Sequence, residues 1–209
     1  MELTKSRLES FSDGVIAIII TIMVLSIPLP DSFEPEKIFG FMLSIFIYFI
    51  SFVVVGSFWN SHHRIFRYID KLTNKVICYN LFYLFFLSLI PIFTKWVIEN
   101  PGNLIPAIGY DLIYILVNLC YVLIFHIVVR TSERDEIRNM RERRKNAAGK
   151  ASRQAPPISA WIRLIIIVGT AVAIIIISIA IPAVSTFFLL GLPVVFALIN
   201  LFYDSGKHA

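Results

Sequence analysis

The segment that decides the fold spans residues 7–29 and reads RLESFSDGVIAIIITIMVLSIPL. It is an apolar run of helix length that opens on Arg7 and carries Asp13 where the apolar part begins. A carboxylate in a bilayer-spanning helix costs roughly 3 kcal/mol at the bilayer centre, and such a group normally persists only beside a partner or a water-filled path. Asp13 therefore predicts a polar contact or an aqueous route next to this helix.

The composition of the whole chain is that of an integral membrane protein. Of its 209 residues, 57% are hydrophobic and 16% are charged, a balance outside that of soluble domains. Because a helix needs about 20 mostly apolar residues to cross about 30 Å of hydrocarbon, the sequence predicts one all-α domain over residues 1–209 with six transmembrane helices. They lie near residues 11–29, 38–60, 76–98, 104–129, 159–181 and 183–203, the last two separated at Pro182.

Lysine and arginine are distributed unequally between the loops, which predicts the orientation of the chain. Lys37 and Lys95 fall on one side of the predicted helices, and the other 17 of the 19 basic residues fall on the opposite side. Because basic residues are retained in the cytoplasm, both termini are predicted to be cytoplasmic, together with a basic linker over residues 130–158. This pattern explains the net charge of +5 without a nucleic acid partner. Weak contact of the linker with anionic lipid is the alternative explanation.

Sequence motifs of enzymes and metal sites are absent from the chain. It contains no GxxxxGK[ST] phosphate loop, no HExxH, no GxSxG and no spaced Cys/His set, which argues against an enzyme, a cofactor and a bound metal. The adjacent His62 and His63 point about 100° apart on a helix and do not form a metal site alone. The TVGYG carbonyl filter of common potassium channels is also missing, so any ion selection would fall to side chains.

The first helix carries an apolar stripe on a different side from its carboxylate. Ile18, Ile22 and Leu25 recur at i, i+4 and i+7, with Thr21 beside them, so they share one helical face. Asp13 lies about 140° around the axis from Ile18, at 100° per residue. Periodicity alone leaves three environments open for the stripe: lipid, a packed core or a pore.

Two motifs resemble those of a known family. Residues 7–13, RLESFSD, match the Arg-x-x-x-Phe-Ser-Asp signature that opens helix 1 in the transmembrane protein 175 family, the lysosomal potassium channels and their prokaryotic relatives. Residues 59–67, WNSHHRIFR, resemble the family's Trp-x-x-His-His-Arg segment, and Asn80 and Pro91 resemble positions of its third helix. A single signature with six helices is similar to the prokaryotic form. That resemblance implies a homotetramer in the cell membrane of a prokaryote, with the lipid bilayer around it.

The resemblance implies that helix 1 of each subunit lines a central pore for potassium ions. The corresponding positions are Ile18 at the narrowest level, Ile22 and Leu25 above it, and Thr21, which matches a threonine that contributes to selectivity. Because apolar side chains supply no oxygens to replace hydration water, we expect a potassium-permeable, leak-like pathway of modest selectivity. The resemblance also implies a supporting network that does not line the pore, formed by Arg7, Phe11, Ser12, Asp13, Trp59, His62, His63 and Asn80.

Within that network the hypothesis is that Asp13 accepts hydrogen bonds and Asn80 completes the cluster. The candidate donors to Asp13 are Ser12, Trp59, His62 and His63. Shared hydrogen bonds of this kind would hold helix 1 against helices 2 and 3. Because imidazole titrates near neutral pH, pH-sensitive gating through a histidine is one further hypothesis.

Three alternatives stay open. The loop residues Asp31, Glu34 and Glu36 either concentrate cations at an extracellular mouth or are simply solvated.

A proton- or ion-coupled secondary transporter needs broken helices and ionisable groups at mid-membrane, and Pro91 and Pro193 are positions where helices 3 and 6 could break. A membrane scaffold without transport is the third alternative. Flux and counterflow in reconstituted vesicles distinguish a channel from both of the other classes.

Overall fold

The computed structural model describes residues 4–69 and 72–146, which fold into α-helices with short connections. The helices are α1 (Lys5–Leu25), α2 (Pro35–Arg67), α3 (Asn74–Ser88), α4 (Ile90–Glu99) and α5 (Leu104–Asn146). No β-strand occurs in those two ranges, so the predicted all-α class is confirmed for them. The helices predicted near residues 159–181 and 183–203, and residues 147–158 of the predicted linker, lie outside the described residues.

Helix α1 begins earlier and ends earlier than the predicted range of 11–29. Thr4 caps its first turn, because the Thr4 side-chain oxygen accepts a hydrogen bond from the Arg7 backbone N–H at 3.4 Å. Such a cap satisfies one of the N–H groups that the start of a helix leaves without a partner. The helix therefore includes a charged turn that hydropathy alone excludes. At its other end Leu25 is the last residue, and Pro28, which has no N–H to continue the helix, follows shortly after.

Four helical segments among the described residues are long and apolar enough to cross a membrane: Lys5–Leu25, Pro35–Arg67, Asn74–Glu99 and Leu104–Val128. Helix α2 starts with a proline, whose missing N–H costs nothing in the first turn, and runs for 33 residues, about 50 Å. Helix α5 continues beyond its membrane-spanning part to Asn146. Residues 130–146 of the predicted basic linker are therefore helical.

The third predicted span, residues 76–98, is two helices and not one. Helix α3 ends at Ser88, Leu89 is a single turn residue, and α4 begins directly after it. Pro91 explains the break, because its nitrogen carries no hydrogen to continue the helical hydrogen bonds. The Ile92 N–H reaches the Leu89 carbonyl at 3.0 Å, and Leu89 keeps a helical backbone conformation. The result is a one-residue break without an unwound segment.

Helix α1 is covered on one side only by the other described helices. It contacts α2, α3 and α4, whereas α5 packs chiefly against α3 and α4. The buried core between the helices includes Met23 of α1, Val54 and Val55 of α2, Leu87 of α3 and Val117 of α5. In a membrane such contacts stabilise the bundle through close packing more than through the hydrophobic effect. One face of α1 consequently stays uncovered by the helices of residues 4–69 and 72–146.

Candidate functional site

Two opposite faces run along α1. The packed face carries five buried residues: Leu8, Ser12, Ile16, Ile19 and Met23. The uncovered face carries the predicted pore positions, because Ile18 is 58% exposed, Ile22 is 49% exposed and Leu25 is 82% exposed. Thr21 is exposed beside them. The structure therefore brings the four predicted positions together on one surface.

Thr21 adds one polar group to this apolar surface. Its hydroxyl donates to the Ile18 carbonyl oxygen of the same helix at 2.8 Å. Because a hydroxyl has one hydrogen and two acceptor lone pairs, this bond uses the hydrogen and leaves the lone pairs. Thr21 thus presents an oxygen that accepts from water or contacts a cation, in the middle of the uncovered face.

Phe11 and Arg7 lie on the uncovered side of α1. Phe11 is 53% exposed and precedes Ile18 by seven residues, about two helical turns. Arg7, one turn earlier, is also exposed. The sequence prediction places both residues with Ser12 and Asn80 in a supporting network that does not line the pore. In the structure Phe11 lies in line with the apolar stripe, seven residues before Ile18.

Three buried polar side chains connect the packed face of α1 to α2 and α3. The Ser12 hydroxyl donates to the Leu8 carbonyl oxygen at 2.8 Å, and Asn80 Nδ2 donates to Ser12 Oγ at 3.0 Å. Asn80 Oδ1 lies 2.7 Å from His62 Nε2. We call Ser12, His62 and Asn80 the Asn80 network. Because a polar group without a partner is expensive inside a membrane protein, these bonds hold three helices together.

The direction of these bonds determines which nitrogen of His62 carries a hydrogen. Ser12 uses its only hydrogen on a carbonyl of α1, so Asn80 must present its amide NH₂ to Ser12 and its oxygen to His62. This pattern assigns a hydrogen to His62 Nε2, and the buried Nδ1 forms no hydrogen bond within the described ranges. The imidazole packs against Phe66 and Tyr83, whose ring centroids are 4.4 and 5.4 Å away.

A second set of contacts joins α1 to α2 near the same end of α1 but closer to the surface. Trp59 Nε1 donates to Asp13 Oδ1 at 3.0 Å, and His63 Nδ1 lies 3.2 Å from Glu9 Oε1. The Trp59 and His63 rings stack with centroids 6.2 Å apart. Glu9 and Asp13 are four residues apart on α1, and Trp59 and His63 are four residues apart on α2. Residues with this spacing lie on the same side of a helix, so the two acids face the two rings. The two contacts connect the helices one turn apart.

Sequence reasoning anticipated part of this arrangement. Of the four candidate donors to Asp13, Trp59 makes the bond in this structure. The partner that sequence reasoning missed is Glu9, which contacts His63. The signal was present in the sequence, because acids four residues apart on one helix match rings four residues apart on the next. The remaining candidate donors, Ser12 and His62, belong to the Asn80 network.

The acidic loop after α1 contains one ion pair. Lys37 Nζ lies 3.2 Å from Asp31 Oδ1, and both side chains are largely exposed. Such a pair contributes about 0–1 kcal/mol to stability, but it offsets one negative charge of the loop. The predicted attraction of cations to this loop therefore rests mainly on Glu34 and Glu36.

The described part of the chain contains no group of three or more His, Cys, Asp or Glu side chains that could hold a metal ion. Cys78 and Cys120 are free thiols, the first exposed and the second buried. The candidate site therefore consists of an exposed apolar stripe on α1 and the polar contacts behind it.

Comparisons with known proteins identify relatives of this chain. The family model of the endosomal/lysosomal potassium channel TMEM175 matches residues 7–91. A potassium channel of Chryseobacterium sp. (strain P1-3) is 37% identical over 128 residues, which cover 61% of this chain and 67% of that protein. A potassium channel of Streptomyces collinus (strain DSM 40733 / Tue 365) is 28% identical over 135 residues, covering 61% of this chain and 66% of that protein.

The comparison extends to vertebrates and to a solved structure. The endosomal/lysosomal proton channel TMEM175 of Gallus gallus is 36% identical over 121 residues, which cover 51% of this chain and 24% of that protein. The chain thus spans about two thirds of the bacterial relatives and a much smaller part of the vertebrate one. The crystal structure of a lysosomal potassium-selective channel TMEM175 homolog from Chamaesiphon minutus aligns with a TM-score of 0.67 and 21% identity, covering 94% of this chain and 97% of that chain. This likeness shows a shared fold.

Proposed function

The chain belongs to the family of the endosomal/lysosomal potassium channel TMEM175, a family of ion channels and not of enzymes, and from that premise we propose how it conducts. It forms a potassium-permeable, leak-like cation channel of modest selectivity in a prokaryotic cell membrane. Helix α1 from each of four copies lines a central pore. The observation that carries this proposal is the uncovered face of α1, on which the four predicted pore positions lie together.

The composition of the uncovered face supports a pore in addition to the family relationship. An apolar stripe alone suits lipid as well as a pore. Thr21, however, keeps its acceptor lone pairs after donating its hydrogen to Ile18, and lipid tails offer them no donor. In a pore, water donates to these lone pairs and a permeating cation is coordinated by them. Arg7, exposed at the start of the same helix, also suits a face that opens into water.

The spacing of the stripe describes the proposed constriction. Ile18, Ile22 and Leu25 cover about 10.5 Å along the helix axis. Rings of such side chains narrow the pore and exclude water without supplying oxygens in its place. An ion must then give up hydration water to pass, and potassium gives it up more easily than sodium. The expected preference for potassium is therefore real but modest.

The contacts behind α1 have a structural role in this proposal. The Asn80 network holds the packed face of α1 through Ser12, and Trp59 holds Asp13 from the side. A pore-lining helix must keep its rotation, because 100° separates one residue from the next. Ser12 cannot rotate away without breaking its hydrogen bond to α3, and Asp13 cannot rotate away without breaking its hydrogen bond to α2.

Potassium flux into liposomes tests the proposal, with sodium as the competing ion. The variant is Ile18→Asn, which places an amide at the predicted narrowest level. The matched control is Ile92→Asn, because Ile92 of α4 is 61% exposed and lies outside the stripe. We expect wild-type flux that prefers potassium, reduced preference in Ile18→Asn, and no change in the control. Absence of flux in correctly folded wild-type protein would overturn the proposal, and equal effects of both variants would remove α1 from the pore.

One observation favours a secondary transporter as a second candidate. The break at Leu89 divides a membrane span, and broken helices are typical of transporter binding sites. The break here is a single residue that keeps a helical backbone, so it exposes little backbone to a substrate. Saturable counterflow in vesicles would support the transporter, whereas flux that stays linear with concentration supports the channel.

A further inference from the structure

A second group of buried polar side chains lies at the other end of α1 from the Asn80 network. Ser51 of α2 and Thr94 of α4 are completely buried, and Tyr110 of α5 is 1% exposed. We call these three residues the Thr94 cluster. Buried hydroxyls in a membrane protein are costly unless they are hydrogen-bonded. The cluster therefore needs a structural or functional explanation, and neither the sequence motifs nor the pore stripe supplies one.

Thr94 is the centre of this cluster. Its Oγ1 lies 2.8 Å from the Ile90 carbonyl oxygen and 3.0 Å from Ser51 Oγ. When Thr94 donates to the carbonyl, Ser51 donates to Thr94, since each hydroxyl has one hydrogen. The Tyr110 hydroxyl is buried beside Ser51 and makes no direct hydrogen bond of normal geometry with the described residues.

The cluster touches α1 through Met23. Thr94 Oγ1 lies 3.9 Å from Met23 Sδ, and Met23 is completely buried on the packed face. Along α1, Ile18 lies about 9 Å after Ser12 and about 7.5 Å before Met23. The predicted narrowest position is therefore roughly midway between two polar contacts, one to α2 and α3 and the other to α4.

The residue that makes this contact lies on α4, shortly after the break at Leu89. Because Pro91 interrupts the helical hydrogen bonds, α4 runs as a separate short helix after Leu89. Thr94 lies one turn into α4, four residues after Ile90. Its hydroxyl is tied to α2 by the bond with Ser51.

We propose that the Thr94 cluster is a positioning site that holds the C-terminal half of α1 and so determines the pore width at Ile22 and Leu25. This inference rests on the proposed channel function. Thr94, Ser51 and Tyr110 touch no ion themselves; they act through Met23. An average interhelical side-chain hydrogen bond in a membrane protein corresponds to about a threefold change in an equilibrium constant. Loss of the Thr94 hydroxyl removes the bond between α4 and α2, so the equilibrium that holds Thr94 against Met23 of α1 should change by about that factor.

The test compares Thr94→Val with Thr94→Ser. Valine keeps the shape and removes the hydroxyl, whereas serine keeps the hydroxyl and removes a methyl group. The control is Ser88→Ala, because Ser88 is exposed and its hydroxyl bonds only within its own helix, to the Phe85 carbonyl. The readouts are the potassium-to-sodium permeability ratio from reversal potentials and the unitary conductance, measured on protein that elutes as wild type in size-exclusion chromatography.

We expect the permeability ratio to fall about threefold in Thr94→Val, with wild-type values in Thr94→Ser and Ser88→Ala. A folded Thr94→Val protein with wild-type ratio and conductance overturns the inference, even if its thermal stability is lower. If Thr94→Val does not fold, Ser51→Ala decides by the same readouts. If the wild type itself carries no cation flux, the proposed function fails. A variant that conducts with unchanged permeability ratio and conductance defeats the positioning role alone.

Discussion

Removal of the Asn80 side chain tests the Asn80 network directly. In Asn80→Ala two hydrogen bonds between helices disappear, the one to Ser12 and the one from His62. Each bond of this kind contributes on average about 0.6 kcal/mol in a membrane protein. His62 also keeps a buried N–H without an acceptor, which costs about 1–3 kcal/mol. We therefore expect the free energy of unfolding to fall by about 2–4 kcal/mol.

The assay is reversible unfolding by SDS in mixed micelles, followed by tryptophan fluorescence. Ser10→Ala is the matched control, because Ser10 is on α1 but exposed; its free energy of unfolding should stay within about 0.5 kcal/mol of wild type. Ser12→Ala and the double variant complete a mutant cycle with Asn80→Ala. The expected coupling between Ser12 and Asn80 is about 0.6 kcal/mol and at most about 1.7 kcal/mol.

Two results would refute this reasoning. A loss below about 0.5 kcal/mol in Asn80→Ala, the range of ordinary surface substitutions, would show that the network does not hold α1. Strict additivity of the Ser12 and Asn80 substitutions would show that their side chains do not interact in the folded protein. Either result would also remove the physical reason for assigning the hydrogen of His62 to Nε2.

Two further predictions concern α1. Asp13→Asn keeps an oxygen that accepts from Trp59, so its yield of assembled protein in size-exclusion chromatography should stay near wild type, whereas Asp13→Ala should lower it; equal yields contradict the Trp59 contact. Thr21→Val should reduce the potassium-to-sodium permeability ratio at least about twofold, since it removes a hydrogen-bonding oxygen, while Thr21→Ser should keep the wild-type ratio. A reduction in both Thr21 variants would point to the methyl group and away from the hydroxyl.

The sequence was sufficient for those features that depend on helix length and hydropathy. Apolar runs predicted where the membrane-spanning helices of the described residues begin and end, and most of these boundaries agree with the structure to within a few residues. The i, i+4 and i+7 spacing placed Ile18, Ile22 and Leu25 on one face, and the structure exposes that face. These features are predictable because they depend only on the helical repeat.

Other features depend on local hydrogen bonds or on how helices rotate against each other. Helix α1 starts before its predicted first residue because Thr4 caps a charged turn. The sequence leaves a break near Pro91 open as an alternative, because proline does not always interrupt a helix. Several donors lie near Asp13, and the relative rotation of α1 and α2 determines that Trp59 is its partner. That rotation cannot be predicted from composition. The bond between Thr94 and Ser51 joins residues 43 positions apart, and no local pattern indicates it.

The length of α5 has a practical consequence for imaging. Beyond Val128, the last residue of its membrane-spanning part, α5 continues as a helix to Asn146, an extension of about 27 Å. A globular marker joined in helical register to this extension would inherit the orientation of the membrane domain. Each residue added to the junction would turn the marker by about 100° and move it by about 1.5 Å. The helical extension of α5 thus offers an attachment point for particle alignment by electron cryomicroscopy.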